Sequence, residues 1–135
     1  MKFLNRFAAV AAPAAKPTTK RIGDVGEDRA LAHLQAAGLK LVLRNFKTPG
    51  RGGGEIDLVM RTPDSTLVFV EVRQRRASNH GGAAGSVTTV KQRRIVFAAR
   101  HFLLRFAAPP ACRFDVVSIE GDRVEWLRAA FDAAA

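Results

Sequence analysis

Cysteine is almost absent from this 135-residue sequence, since Cys112 is its only cysteine. A single cysteine excludes an intrachain disulfide and a zinc site built from cysteines, and it suits a reducing compartment. Long apolar runs are missing as well, because no stretch approaches the ~20 apolar residues that a membrane-spanning helix requires. These absences predict a cytoplasmic protein that is not embedded in a membrane.

Acids are absent from the start of the chain, where residues 1–21 contain five bases and supply half of the formal net charge of +10. A basic start followed by small apolar residues resembles an export signal. Pro13, however, interrupts a short and Ala-rich run, which favours an unstructured cytoplasmic tail. We therefore predict a flexible basic tail at residues 1–20 and a single domain at residues 21–135, which is long enough for one hydrophobic core.

Acids are absent again between residues 72 and 114, a segment that is rich in arginine. A strongly basic protein is expected to bind polyanions, and nucleic acid is favoured over an anionic membrane. A run of bases is usually only a solvated face, but the missing acids favour a function here. With Arg51 from a glycine-rich stretch, the candidate nucleic-acid-binding residues are Arg51, Arg75, Arg76, Lys91, Arg93 and Arg94.

The order of the expected elements is one helix, three strands, a second helix and two strands. Helical spacing of apolar residues predicts helices within 23–38 and 87–106, and Asp24 is expected to cap the first of them. Runs rich in branched residues predict strands at 39–46, 54–61 and 66–73, followed by a hairpin that turns at Gly121 and Asp122. This order predicts an α/β domain in which helices flank a mixed central sheet.

Two acids, Asp57 and Glu71, lie inside strands that are otherwise apolar. If the hairpin between these strands turns at Asp64, Asp57 lies opposite Glu71 and both project to the same face. Two carboxylates ~5 Å apart would repel each other by roughly 3 kcal/mol at an effective dielectric constant of ~20. A shared proton, a nearby cation or a bound metal must therefore compensate.

Two explanations for this acid pair carry equal weight from the strands alone. A hard cation such as Mg²⁺ suits a pair of carboxylates with water, but Arg73 could also simply neutralise the acids. The context favours the metal, because glycines at 50 and 52–54 allow close approach of another molecule just before the acids. A metal beside a basic segment is also what phosphodiester chemistry needs.

The motifs "GEID" and "VEVR" resemble the PD-(D/E)XK nuclease superfamily, in which an acid on one strand precedes acid-x-Lys on the next. More closely, the chain resembles the YraN family, small bacterial proteins related by fold to archaeal Holliday junction resolvases. The similarity runs from about Gly23 to Phe131 and includes "GEDRALAHL", "RNFKTPGRGGGEIDLVM", "FVEVRQRR", "GGAAGSVTTVKQRRI", "CRFDVVSIEG" and "VEWLRAAF". It implies a restriction-endonuclease-like core.

The resemblance also implies roles for individual residues. Asp57 and Glu71 would bind Mg²⁺ or Mn²⁺, together with the backbone carbonyl of Val72 and with Glu27 from the first helix. Arg73 takes the position of the superfamily's catalytic lysine, and it could stabilise charge on a phosphate, although arginine is a poor base. The implied catalytic residues are Asp57, Glu71 and Arg73.

The leading functional hypothesis is a metal-dependent endonuclease that cleaves DNA, with branched or damaged DNA as the suggested substrate and a homodimer as the suggested assembly. The alternative is a nucleic-acid-binding module that has this fold but little or no catalytic activity. A third hypothesis is a structural adaptor in which the acids only form ion pairs.

Overall fold

A five-stranded sheet with one helix on each face forms the part of the protein that the computed structural model describes, residues 19–75 and 87–133. The elements are α1 (Thr19–Ala36), β1 (Lys40–Lys47), β2 (Glu55–Arg61), β3 (Leu67–Arg75), α2 (Thr89–Leu103), β4 (Cys112–Glu120) and β5 (Arg123–Phe131). Residues 1–18 lie outside the described residues, so the predicted tail stays a prediction.

The strands follow one another across the sheet in chain order, β1-β2-β3-β4-β5. All neighbours are antiparallel except β3 and β4, which are parallel and are connected through α2. A parallel pair needs such a crossover, whereas the antiparallel pairs need only short turns. The prediction of an α/β domain with a mixed sheet flanked by helices is confirmed. No helix in the described ranges is long and apolar enough to cross a membrane.

Each face of the sheet has its own apolar core. On one face α2 packs against β2, β3 and β4 through Ile95, Ala98, Phe102, Phe69 and Val116. On the other face α1 packs through Ala30 and Leu34 against Leu58, Val70 and Val117. Since both faces of the sheet are covered, a charged side chain on the central strand β3 has to lie at the end of the strand or in a cavity.

The register of β2 and β3 is the predicted one, with pairs that run from Leu58–Val70 to Arg61–Leu67. The turn between them closes when Thr62 N–H donates to the carbonyl of Thr66 at 2.9 Å. Strict alternation along β2 predicts that Ile56 shares a face with Leu58, and this expectation is wrong, because Ile56 packs with Val59 in the core under α2 while Leu58 lies in the core under α1.

The physical reason for this break in the alternation of faces along β2 lies on its neighbour, β1. The pairs Arg44–Leu58 and Phe46–Ile56 flank Asn45, which adopts a left-handed conformation with φ of 53°. Such a residue breaks the regular pleat on which strict alternation depends. The position that lies between Ile56 and Leu58 is Asp57, so the irregularity coincides with an acid of interest.

The first helix begins earlier than the sequence predicts. Its first residue is Thr19, so Asp24 lies inside α1 and the prediction that it caps the helix is wrong. Extension of an existing helix costs far less than nucleation, so a favourable cap residue does not force the helix to begin there. The predicted stop is confirmed, because Gly38 has φ of 100° and Leu39 N–H donates to the carbonyl of Leu34.

Candidate functional site

A polar cavity of about 340 Å³ opens where β2 and β3 meet both helices. Its walls contain all the predicted metal ligands and catalytic residues, and they also include one lysine from the first turn of α2. The lining residues are Glu27, Asp57, Glu71, Val72, Arg73, Gln74 and Lys91. The fold therefore brings together residues that are separated by up to 64 positions in the sequence.

Asp57 is tied to the neighbouring strand by its side chain. Its Oδ2 accepts a 2.8 Å hydrogen bond from the backbone N–H of Val72. Burial, followed by the charge of Glu71, raises the pKa of Asp57 to about 7 from an ordinary value of 3.8. The hydrogen bond from Val72 opposes this shift but does not cancel it. Near neutral pH the acid pair therefore shares a proton unless a cation replaces it.

Glu71 is buried, with only 4% of its side chain exposed, and two cations lie near it. Lys91 Nζ lies 3.5 Å from Oε2 of Glu71, and Arg73 Nη1 lies 4.0 Å from the same oxygen. Burial nevertheless raises the pKa of Glu71, although the charge of Lys91, a hydrogen bond with Asp57 and the charge of Arg73 all oppose the shift.

Arg73 does not neutralise the acids by itself. It is the more distant of the two cations, at the outer limit of an ion pair. Its buried Nε has no hydrogen-bond partner in the described part of the chain. An unpaired buried donor is costly, which makes it a ready partner for an acceptor that enters the cavity.

Glu27 reaches the same cavity from α1. It forms a 3.4 Å ion pair with Nη2 of Arg44, whose Nη1 lies 2.8 Å from Oδ1 of Asp28. Burial, and then the charge of Asp57, raise the pKa of Glu27, so the two acids act on each other electrostatically. Sequence reasoning missed Arg44. The available signal was a base in the middle of the largely apolar strand "LKLVLRNF", the same kind of signal that pointed to Asp57 and Glu71.

The donor set fits a hard divalent cation. In residues 19–75 and 87–133, no three acidic, histidine or cysteine side chains are gathered closely enough to form a ready-made metal cluster. Mg²⁺, however, usually takes one or two carboxylates and completes its shell with water and substrate phosphate. Carboxylate and carbonyl oxygens suit Mn²⁺ as well. Asp57 and Glu71 satisfy this requirement, with Glu27 beside them and the backbone of Val72 in the same wall.

The predicted nucleic-acid-binding residues separate into different surfaces. Lys91 lines the acid cavity and also a neighbouring cavity, which Arg94 lines too. Arg93 lies instead in a groove on the other side of α2, with Phe97 and Arg100. Adjacent residues of a helix project about 100° apart, so Arg93 and Arg94 leave α2 in different directions and line different cavities.

Arg51 and Arg75 are not among the residues that line either cavity. Arg51 is exposed in the turn before β2. Arg75 is half-buried and pairs with Glu120 in the β3–β4 register. Arg76 lies outside the described residues, so its role stays a prediction.

Comparisons with known proteins identify relatives over nearly the whole chain. A UPF0102 protein of Acidovorax sp. (strain JS42) is 66% identical over 134 residues, which is 99% of this chain and 100% of that protein. A UPF0102 protein of Paracidovorax citrulli (strain AAC00-1) is 62% identical over 129 residues, 96% of each chain.

Among solved structures, the one titled "Crystal structure of SSO0001" matches with a TM-score of 0.44 and 14% identity, over 86% of this chain and 55% of that chain. The model of the "Uncharacterised protein family UPF0102" matches residues 26–119. This chain therefore belongs to the UPF0102 family, which is the YraN family that its motifs indicated.

Proposed function

We propose that this protein is a metal-dependent endonuclease that cleaves phosphodiester bonds of DNA. One observation carries the proposal: Asp57 and Glu71, from adjacent strands, share a cavity with the cations Arg73 and Lys91. The cavity combines two acids whose pKa values are raised with two bases, which is unusual for a site that has only a structural role. Perturbed pKa values of this kind concentrate at functional sites.

The acids are the proposed metal ligands. Asp57 and Glu71 would hold Mg²⁺ or Mn²⁺, and Glu27 and the carbonyl of Val72 would complete the protein's share of the ligands. When bound, such an ion supplies Lewis-acid stabilisation of a phosphate and lowers the pKa of water. The hydrogen bond from Val72 fixes one oxygen of Asp57, and Arg44 fixes Glu27, so these side chains are oriented before an ion arrives.

The bases are the proposed phosphate contacts. Arg73 has a buried Nε without a partner in the described residues, and Lys91 Nζ lies within ion-pair distance of Glu71. Both can donate to phosphate oxygens as negative charge develops on them during cleavage. Arginine remains protonated, so Arg73 is suited to charge stabilisation and not to proton removal. Lys91 adds to the site the ammonium group that the β3 motif lacks.

The substrate class follows from charge and from the family resemblance. A net charge of +10 favours a polyanion. The resemblance to junction resolvases suggests branched or damaged DNA, and a symmetric homodimer would match the two equivalent strands of a four-way junction.

The decisive experiment compares the parent protein with Asp57→Asn, Glu71→Gln and a matched control, Glu125→Gln, which removes an exposed acid of β5. Labelled single-stranded, duplex and four-way DNA are incubated with Mg²⁺, Mn²⁺, Ca²⁺ or EDTA. We expect cleavage with Mg²⁺ or Mn²⁺ by the parent and by the control, and a loss of at least 100-fold in the two site variants.

A calorimetric titration with Mn²⁺ in the absence of DNA provides a second measurement. The parent and Glu125→Gln should take up the ion, whereas Asp57→Asn should not. Cleavage by Asp57→Asn at the parental rate would refute the nuclease. DNA binding without cleavage under every metal would favour the binding module, and the absence of Asp57-dependent metal uptake would favour simple ion pairing.

A further inference from the structure

A second polar cavity, of about 230 Å³, lies next to the acid cavity and contains none of the predicted metal ligands. The segment between β1 and β2 forms one wall, and the first turns of α2 form the other. The lining residues are Lys47, Thr48, Gly50, Gly53, Gly54, Glu55, Lys91 and Arg94. Lys91 lines both cavities, so the two spaces adjoin each other at this residue.

The loop wall is held in place by Thr48. Its buried hydroxyl oxygen accepts a 2.7 Å hydrogen bond from Gly54 N–H, while its own N–H donates to the carbonyl of Gly54 at 3.1 Å. These two bonds close the loop at its base. Gly50 and Gly52 have φ of 86° and 69°, which allows the chain between them to turn sharply.

The loop also packs directly on α2. A Cβ atom at Gly54 would lie 2.0 Å from the carbonyl oxygen of Arg94, and one at Gly53 would lie 2.0 Å from Oγ1 of Thr48. Glycine at 54 therefore lets the loop reach the helix, and glycine at 53 leaves room for the Thr48 hydroxyl inside the loop. This close approach fixes the distance between the loop wall and the side chain of Arg94.

The charge of the cavity favours an anion. Lys47, Lys91 and Arg94 line it, and Glu55 is the one acid among the lining residues. The exposed positions of Lys47 and Arg94 leave both side chains accessible to a ligand from solution. Since a water molecule occupies roughly 30 Å³ of liquid, the cavity has room for a phosphate group with some of its hydration shell.

We propose that this cavity is a phosphate subsite that holds the backbone phosphate next to the one attacked at the acid pair, on the same nucleic-acid strand. The position of this subsite relative to the cleaved bond rests on the proposed function. The binding of a phosphodiester in the cavity does not. Arg94 and Lys47 contact the phosphate oxygens, and Lys91 lies between the two neighbouring phosphates. The subsite sets which bond of a bound strand reaches Asp57 and Glu71.

Arg93 provides a matched control for Arg94, because it is the preceding residue of the same helix but lines a different surface. Binding of a fluorescein-labelled 12-nucleotide single strand is measured by anisotropy in EDTA, where no metal-dependent cleavage occurs. We expect Arg94→Gln to weaken binding about tenfold, the size of one charge-assisted hydrogen bond, and to reduce the salt slope by about one. Arg93→Gln should change the affinity by about twofold at most.

Amide chemical shifts locate the bound strand independently of affinity. On addition of the unlabelled oligonucleotide to the parent protein, the Gly53 and Gly54 amides should shift. Arg94→Gln should need about tenfold more oligonucleotide for the same shifts, while its thermal midpoint stays near the parental value. Inorganic phosphate at the same concentration should leave them unchanged. Saturation by inorganic phosphate with the affinity of the oligonucleotide would overturn the assignment to a nucleic-acid backbone.

The outcomes separate this proposal from the nuclease. Shifts at Gly53 and Gly54 with no cleavage under Mg²⁺ or Mn²⁺ would support the subsite and refute the nuclease. Cleavage by the parent together with equal affinities of Arg93→Gln and Arg94→Gln would refute the subsite and leave the nuclease. A parent protein that does not bind the single strand would refute the subsite, whereas the nuclease is tested by cleavage of duplex and four-way DNA with Mg²⁺ or Mn²⁺.

Discussion

The backbone N–H of Val72 donates a 2.8 Å hydrogen bond to Oδ2 of Asp57, so a side chain of β2 is anchored on the backbone of β3. The regular pairing of these strands begins only one residue further along, at Leu58 and Val70. The contact holds the carboxyl group of Asp57 at the end of a buried strand pair, where burial and then the charge of Glu71 raise its pKa. A buried acid with a raised pKa makes the stability of the metal-free protein depend on pH.

Asp57→Asn should remove most of that pH dependence. Between about pH 4 and pH 7 folded Asp57 keeps a proton that the unfolded chain has lost, so the free energy of unfolding falls as the pH rises through this window. A shift from 3.8 to about 7 corresponds to on the order of 4 kcal/mol. Asparagine still accepts the hydrogen bond from Val72 but carries no charge.

Urea denaturation in EDTA, followed by the fluorescence of Trp126, measures this effect. The parent should lose stability from pH 4.5 to pH 8, whereas Asp57→Asn should change much less and be the more stable protein at pH 8. Asp122→Asn, in the exposed turn before β5, should behave like the parent. Equal pH slopes for the parent and Asp57→Asn would contradict the raised pKa.

Arg44→Ala should raise the pKa of Glu27 further. The hydrogen bond and the charge of Arg44 both oppose the upward shift that burial and Asp57 cause. Because Arg44 is partly exposed, we expect the loss of its ion pairs to lower the free energy of unfolding by only about 0.5–1 kcal/mol. A carboxyl-carbon NMR titration of Glu27 is the direct measurement.

Arg29 supplies the control. It lies on α1, the helix that carries Glu27, but its guanidinium donates to the carbonyl of Gly121 at 2.7 Å. Arg29→Ala should leave the titration of Glu27 unchanged. If Arg44→Ala also leaves it unchanged, Arg44 does not position this carboxylate.

The sequence alone was enough to predict the sheet and the acid pair, because the signals are local. The register of β2 and β3 follows from the short turn around Asp64 and from apolar residues that alternate along both strands. Once that register is known, Asp57 and Glu71 must lie near each other. The family motifs then added Glu27 and Arg73.

The contacts that depend on how distant elements pack could not be predicted in this way. Arg44 meets Glu27 only because α1 crosses the edge of the sheet, and no local pattern encodes that crossing. The separation of Arg93 from Arg94 depends on which side of α2 faces the loop at Gly54. The start of α1 was missed because a favourable cap at Asp24 has to compete with helix propagation, and propagation prevailed.

Asp115→Ala should be among the most destabilising single changes. This acid is fully buried and accepts hydrogen bonds from the Arg113 guanidinium, from Nε1 of Trp126 and from the Ala129 N–H. Ala129 has φ of 50°, so Asp115 also supports an unfavourable backbone conformation. Removal of the carboxylate leaves the partly exposed Arg113 guanidinium and two further donors without their partner, which should cost about 2–4 kcal/mol.

Urea denaturation of Asp115→Ala by far-ultraviolet circular dichroism measures this loss, since the change also alters the surroundings of Trp126. The control is Asp122→Ala, an exposed acid on the hairpin between the same two strands, which should change stability by less than about 0.5 kcal/mol. A loss below 1 kcal/mol in Asp115→Ala would mean that the left-handed conformation of Ala129 does not depend on Asp115.

Gly54→Ala should destabilise the protein more than Gly26→Ala, although both changes insert a methyl group against a close neighbour. At Gly54 the neighbour is the backbone carbonyl of Arg94, which cannot move without α2, so we expect a loss of about 1–3 kcal/mol. At Gly26 the neighbour is the flexible side chain of Gln74, and alanine favours the helix by up to about 1 kcal/mol. Thermal unfolding of both variants should show a clear loss for Gly54→Ala only, and equal midpoints would contradict the close approach.

If the protein is the proposed nuclease, Lys91→Gln and Lys91→Arg together show whether Lys91 stabilises charge or transfers a proton during cleavage. The charge of Lys91 is the strongest influence that lowers the pKa of Glu71, so Lys91→Gln should raise that pKa further in an NMR titration. Cleavage by Lys91→Gln should fall at least tenfold, since a cation near a developing phosphate charge contributes more than about 1.4 kcal/mol.

Lys91→Arg keeps the charge but cannot release a proton at ordinary pH. Retention of most activity in Lys91→Arg would assign Lys91 to charge stabilisation, whereas a loss as large as in Lys91→Gln would contradict that assignment and point to a step that requires the lysine's own proton.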